Sequence, residues 1–148
     1  FEVGKPAQIR NPNAIRPWQH VLEPLHGYLL LAEQLFENGS DYAEAWNFGP
    51  DDSDTQTVGW IVQQLAETWS SDASWEIDAG DHPHEANILK LDSTKARTKL
   101  QWQPRWSLQI ALQRIAEWHS AYIAEADMRT CCIGQINSYL NDAPDAQV

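Results

Sequence analysis

From Ser107 onward, Leu108, Ala111, Leu112, Ile115, His119, Tyr122, Ile123 and Ala126 recur at intervals of three and four residues. That spacing gathers side chains on one face of an α-helix and holds the stripe for about five turns. A helix with one long apolar stripe is stable only when the stripe is covered, so the chain must fold into packed layers. Ser107 is suited to cap the helix, its hydroxyl accepting from an N–H of the first turn. Two further stripes have the same period. Leu25, Tyr28, Leu29, Ala32, Leu35 and Phe36 define an earlier helix, with Glu23 as a weak cap, Pro24 at its first position and Asn38-Gly39 as its stop. Val58, Ile61, Val62, Leu65 and Trp69 define another that opens on Thr57.

Between the helices the signals are short and extended. Residues 45–48 read as a strand that ends at Gly49-Pro50, residues 75–77 alternate with acidic side chains, and residues 87–91 alternate polar and apolar. Asp92 or Ser93 caps a short helix carrying Ala96 and Leu100, which must stop near Trp102 because Pro104 disfavours helical geometry at Gln103. The expected fold is therefore α/β, with mixed helices and short strands. Residues 1–128 form one unit, and residues 129–148 form a polar tail that is partly frayed.

Composition narrows the function. The 148 residues include eight Trp and 43% hydrophobic residues, enough for a compact core. A formal charge of −11 and a pI near 4.6 oppose binding to nucleic acid or an anionic membrane, because both are held by Lys and Arg. No apolar run approaches the roughly 20 residues that span a bilayer. Cys131 and Cys132 are adjacent and cannot staple distant segments, which fits a reducing, cytoplasmic compartment and plain buried thiols. The start at Phe1, with neither a basic segment nor an apolar stretch after it, suggests a chain cut from something longer.

The sequence has no Gly-rich phosphate loop, no Gly-x-Ser-x-Gly, no Tyr-x-x-x-Lys and no Cys-x-x-Cys. Two clusters remain. In residues 11–20, Arg16 lies beside prolines and Trp18, so its guanidinium is held in one direction and can grip a diphosphate with two parallel hydrogen bonds. The alternative is that Arg16 pairs with a surface carboxylate while Trp18 is ordinary core and His20 a packed histidine. In residues 81–85, His82 and His84 flank Pro83 beside Asp81 and Glu85. A loop offering hydrogen bonds to a sugar or ribose hydroxyl suits these residues better than zinc, for which no distant further ligand is evident. Residues 51–54 lack the Gly and distal Glu of a calcium loop.

The run RNPNAIRPWQHVLEPL over residues 10–25 resembles the carboxyl-terminal region of CDP-glucose 4,6-dehydratases, members of the extended short-chain dehydrogenase/reductase superfamily. The resemblance continues through residues 46–50 (WNFGP), 84–86 (HEA), 89–92 (LKLD) and 100–104 (LQWQP). It implies the substrate-binding part of an extended Rossmann-type enzyme whose Rossmann part is missing. That enzyme oxidises the sugar at C4 with bound NAD, eliminates water across C5 and C6, and returns the hydride to C6. The resemblance also implies that Arg16 grips the diphosphate and that Asn13 and Trp18 belong to the loop shaping the same pocket. Glu85 falls near the family's ribose-contacting acid. His82 stands where relatives carry a phosphate-binding Arg, a departure for which His84 or Lys90 is a substitute. No catalytic, cofactor or metal residue is expected in this chain. The expected partners are CDP-glucose or a related nucleotide-sugar, the missing Rossmann domain and a possible second copy of the chain. A non-catalytic nucleotide-sugar-binding or interaction module, and part of another epimerase or dehydratase, are the alternatives.

Overall fold

The computed structural model describes residues 4–69, 72–82 and 86–142. Strand β1 (Ala7–Ile9) is followed by β2 (Ile15–Pro17) and helix α1 (Leu22–Asn38). After a 3-10 turn at Gly39–Tyr42 and another at Asp52–Asp54 come β3 (Thr55–Thr57), α2 (Val58–Trp69) and β4 (Trp75–Ile77). Helices α3 (Thr94–Lys99), α4 (Leu108–Ile123) and α5 (Met128–Asn141) complete the order. The expected mixture of helices and short strands is what forms.

The strands make two small sheets. β1 pairs with β4 in parallel, Gln8 opposite Glu76, and β2 pairs with β3 antiparallel, Arg16 opposite Gln56. The other edge of β2 is used as well: Ile15 N donates to Asn87 O at 2.7 Å, Leu89 N donates to Ile15 O at 3.1 Å, and Ile15 bridges Ile88 in parallel. Residues 87–91, expected to form a strand, therefore contribute a single bridge. Residues 45–48 form no strand, because side chains take the place of a ladder. Gln19 Nε2 donates to Phe48 O at 2.8 Å, and Gly49 N donates to Ser93 Oγ at 2.7 Å.

Local chemistry sets the helix ends. α2 opens where Thr57 Oγ1 accepts from Trp60 N (3.2 Å), and α4 opens where Ser107 Oγ accepts from Ile110 N (3.5 Å). α4 stops at Ile123, short of Ala126, with Glu125 in the left-handed region at φ 54°. α1 begins two residues before Pro24, which still falls in the first turn, where the missing N–H costs nothing. Ser93 gives α3 no side-chain cap because its hydroxyl is spent on Gly49; Asp92 Oδ1 accepts from Thr94 N at 2.9 Å instead. The polar tail expected from residue 129 is, over Met128–Asn141, a helix. Asp127 caps it, and Tyr139 near its far end is buried. Residues 143–148 lie outside the described residues.

Among the described residues two apolar clusters form the core. Phe48, Ala96, Leu100 and Trp102 pack with Leu30 and Leu31 of α1, and Ile61, Leu108 and Leu112 pack with Trp18, Trp60 and Leu65. Gly27 lets α1 meet the first cluster closely, since a Cβ there would lie 2.3 Å from Phe48 Cδ1. Glu23, fully buried, joins α1 to the chain's second half. Its carboxylate accepts from Arg105 N (3.0 Å), Trp106 N (2.9 Å) and the Tyr139 hydroxyl (2.7 Å), while its carbonyl accepts from Trp102 Nε1 (3.1 Å).

α1 is packed the opposite way from its sequence pattern. The inward face carries Glu23, His26, Gly27 and Gln34 beside Leu30 and Leu31, whereas the apolar stripe of Leu25, Tyr28, Leu29, Leu35 and Phe36 points outward. Leu29 is 71% and Phe36 91% exposed. The 3.6-residue period correctly marks an apolar face, but that face is not the one this chain covers.

Candidate functional site

The candidate site is built around Arg16 at the centre of β2. Its backbone is fixed on one side by β3 and on the other by the Asn87–Leu89 bonds to Ile15. The prolines leave it in extended geometry. The side chain is half-buried, and Arg16 Nη1 donates to Ile15 O at 2.8 Å, which turns the guanidinium back over the strand. Cross-strand partners share one face of an antiparallel pair, so Gln56 is the nearest polar neighbour that register provides. Gln56 escaped sequence reasoning; the Thr-Gln-Thr alternation was the signal that would have revealed β3.

Trp18 is tied from behind. Its indole N–H donates to Gln56 O at 3.1 Å, and its ring packs on the Ile61, Leu108 and Leu112 cluster. It thereby holds the two strands' turn-out in place. Asn13 is exposed on the turn before β2, where Ala14 N donates to Asn11 O (3.2 Å) and Val58 N to Ala14 O (2.9 Å). Asn11 Nδ2 reaches Asn87 Oδ1 at 3.4 Å. The first cluster is thus stitched to the segment that follows the second.

His82 stands in the loop five residues after β4, its Nε2 3.1 Å from Asp78 Oδ2. The Gly80 N–H and then His82 hold the Asp78 carboxyl below the usual range. His84 and Glu85, the remaining residues of that cluster, lie outside the described residues. Lys90 Nζ is 2.8 Å from Asp52 Oδ1 and the pair is exposed. His20 is buried, edge-on to Trp106 at 4.8 Å. Burial, and then the charge of Arg114, lowers its pKa to about 4, so its imidazole is neutral at neutral pH.

A dinucleotide's pyrophosphate needs a glycine turn between strand and helix, but β3 runs straight into α2 through Thr57–Val58. Gly59 there donates its N–H to Pro12 O at 2.8 Å, and a Cβ on it would lie 3.2 Å from that oxygen. Among the described residues no group of three His, Cys, Asp or Glu is arranged to hold a metal ion, and no helix is long and apolar enough to cross a membrane.

Fold and site together define an α/β segment that presents one arginine from a strand bonded on both edges. Its sequence is similar to that of the CDP-glucose 4,6-dehydratase of Salmonella typhimurium, strain LT2, with 49% identity over 141 residues. The match covers 95% of this chain and 39% of the dehydratase, so the chain spans about two fifths of the length of the curated relative it matches. No family model matches.

Proposed function

We propose that this chain is the nucleotide-sugar-binding part of a CDP-glucose 4,6-dehydratase, a cytoplasmic enzyme. Arg16 grips the diphosphate of CDP-glucose, and Asn13 and Trp18 shape the loop around it. His84 and Glu85 meet the ribose or sugar hydroxyls, with His82 nearby. One observation carries the reading: Arg16 sits on a strand paired with β3 along one edge and bridged at its neighbour Ile15 on the other, inside a chain 49% identical to a dehydratase over 141 residues. A guanidinium on so fixed a backbone loses little freedom when it binds phosphate. NAD and the groups that move hydride and water belong to a region outside the residues present here. The outward apolar stripe of α1 is the surface on which that region rests.

Titration with CDP-glucose in a dehydratase-length chain tests the assignment. Arg16→Ala removes a charge-assisted fork and weakens binding by about 1.5 to 3 kcal/mol, while Arg16→Lys keeps the charge and restores part of the loss. If Arg16 only pairs with a surface carboxylate, both changes stay below about 1 kcal/mol. Unchanged affinity in Arg16→Ala, at unchanged thermal stability, refutes the role.

A further inference from the structure

A second candidate site lies away from Arg16. The start of α1 and the facing sides of α4 and α5 line a pocket of about 360 Å³ that is open to solvent on one side. Its walls are apolar, formed largely by Ile115, Trp118 and Ile136, and the Trp118 N–H is already given to Cys132 Sγ at 3.3 Å. Three polar side chains interrupt these walls: Gln135, whose Nε2 donates to Arg114 O at 2.8 Å, His20 and Arg114. His20, only 6% exposed, accepts from Leu22 N through Nδ1 (3.2 Å), which places the imidazole proton on Nε2. Among the described residues Nε2 has no hydrogen-bond partner. Arg114 shares the lining. It gives Nη1 to Glu117 at 2.9 Å and lies 5.4 Å from the Trp106 ring centroid, and its Nε has no acceptor among the described residues.

A donor that lines a pocket is satisfied by whatever fills it, so an imidazole N–H with no partner in the fold, beside a guanidinium, favours an acceptor that is not part of the fold. The guanidinium selects an anion, and the walls select an apolar body. We propose that this cavity binds a small aromatic monocarboxylate, its ring against Ile115, Trp118 and Ile136 and its carboxylate on His20 Nε2 and Arg114. The assignment does not depend on the nucleotide-sugar reading. The chain's net charge of −11 repels anions in general, so uptake must come from this local pair, not from the overall field. A bound carboxylate also opposes the two influences that keep His20 neutral, burial and the Arg114 charge.

The test is a titration of the full chain with 1-naphthoate, and in parallel with the uncharged 1-naphthamide, followed by Trp fluorescence and by the imidazole resonances of His20. Saturable binding of the carboxylate, at least tenfold weaker binding of the amide and a rise in the His20 pKa are expected. Arg114→Met weakens naphthoate at least tenfold, and Ile136→Trp, which fills the cavity, abolishes uptake while circular dichroism stays native. Equal affinity for acid and amide overturns the proposal even if both variants fail to fold. So does binding that leaves the His20 resonances unmoved, which locates the probe on the outward face of α1 instead.

Discussion

At the scale of single residues, Glu23 and His20 show how burial sets chemistry. Glu23 is a fully buried carboxylate, and desolvation raises its pKa despite the opposing hydrogen bonds from Trp106, Tyr139 and Arg105. A raised carboxyl pKa means that the fold prefers the protonated form, so this residue's contribution to stability is complete below the unfolded pKa and declines as pH rises through the folded one. Glu23→Gln removes the buried charge but sets an NH2 against the N–H of Arg105 or Trp106, so one backbone donor loses its acceptor and a cost of about 1 to 3 kcal/mol is expected. Glu23→Ala orphans two N–H groups and a hydroxyl, and a loss of about 3 kcal/mol or more is expected by chemical denaturation. His20 works in the opposite sense. Its folded pKa of about 4 lies below the unfolded 6.5, so the unfolded chain binds more protons between those values. Stability falls as pH drops through that window, by on the order of 3 kcal/mol, and His20→Asn flattens the slope. His20 was legible as a packed histidine because it stands alone, with no second histidine or cysteine among residues 11–20; Glu23 was not, since a glutamate before a proline reads as a helix cap until tertiary partners are known.

At the scale of elements, what could be read depended on whether the signal was local. Thr57 and Ser107 cap α2 and α4 as their sequence positions imply, and Trp75–Ile77 pairs as a strand. Residues 45–48 have strand character, but a strand needs a neighbour, and periodicity does not supply one. α5 was missed because its apolar residues scatter around the helix. The Asp127 cap, accepting from Arg129 N at 3.1 Å and from the Thr130 hydroxyl at 2.6 Å, was the available cue. α1 is the instructive case: its stripe was legible, its direction was not. Sequence reports that a face is apolar, whereas only the whole structure reports what covers it. Since Leu29 and Phe36 are exposed on that stripe, the chain is expected to self-associate at high concentration by light scattering. Leu29→Glu with Phe36→Glu should abolish association while leaving the unfolding temperature nearly unchanged, because neither side chain contributes to the packed core. A wild-type chain that stays monomeric at every concentration overturns the expectation.

At the scale of the whole molecule, the division of labour follows from where rigid backbone is found. The Arg16 loop was legible because prolines, Trp and Arg lie within a few residues of one another. Its second wall was not, since the bonds from Ile15 to Asn87 and Leu89 cross more than seventy positions of sequence. Such a strand can orient a diphosphate, yet orientation is only part of the rate. Oxidation at a sugar carbon needs a nicotinamide held against it, and that requires a glycine turn at a helix N-terminus, which neither the sequence nor the β3–α2 junction provides. Pure chain given CDP-glucose and NAD is therefore expected to form no 4-keto sugar, and calorimetry is expected to show the nucleotide-sugar binding to it. A 4-keto product proportional to chain concentration would show that hydride transfer is complete within these residues. Binding without product, lost in Arg16→Ala, would show that recognition and chemistry reside in separate parts of the enzyme.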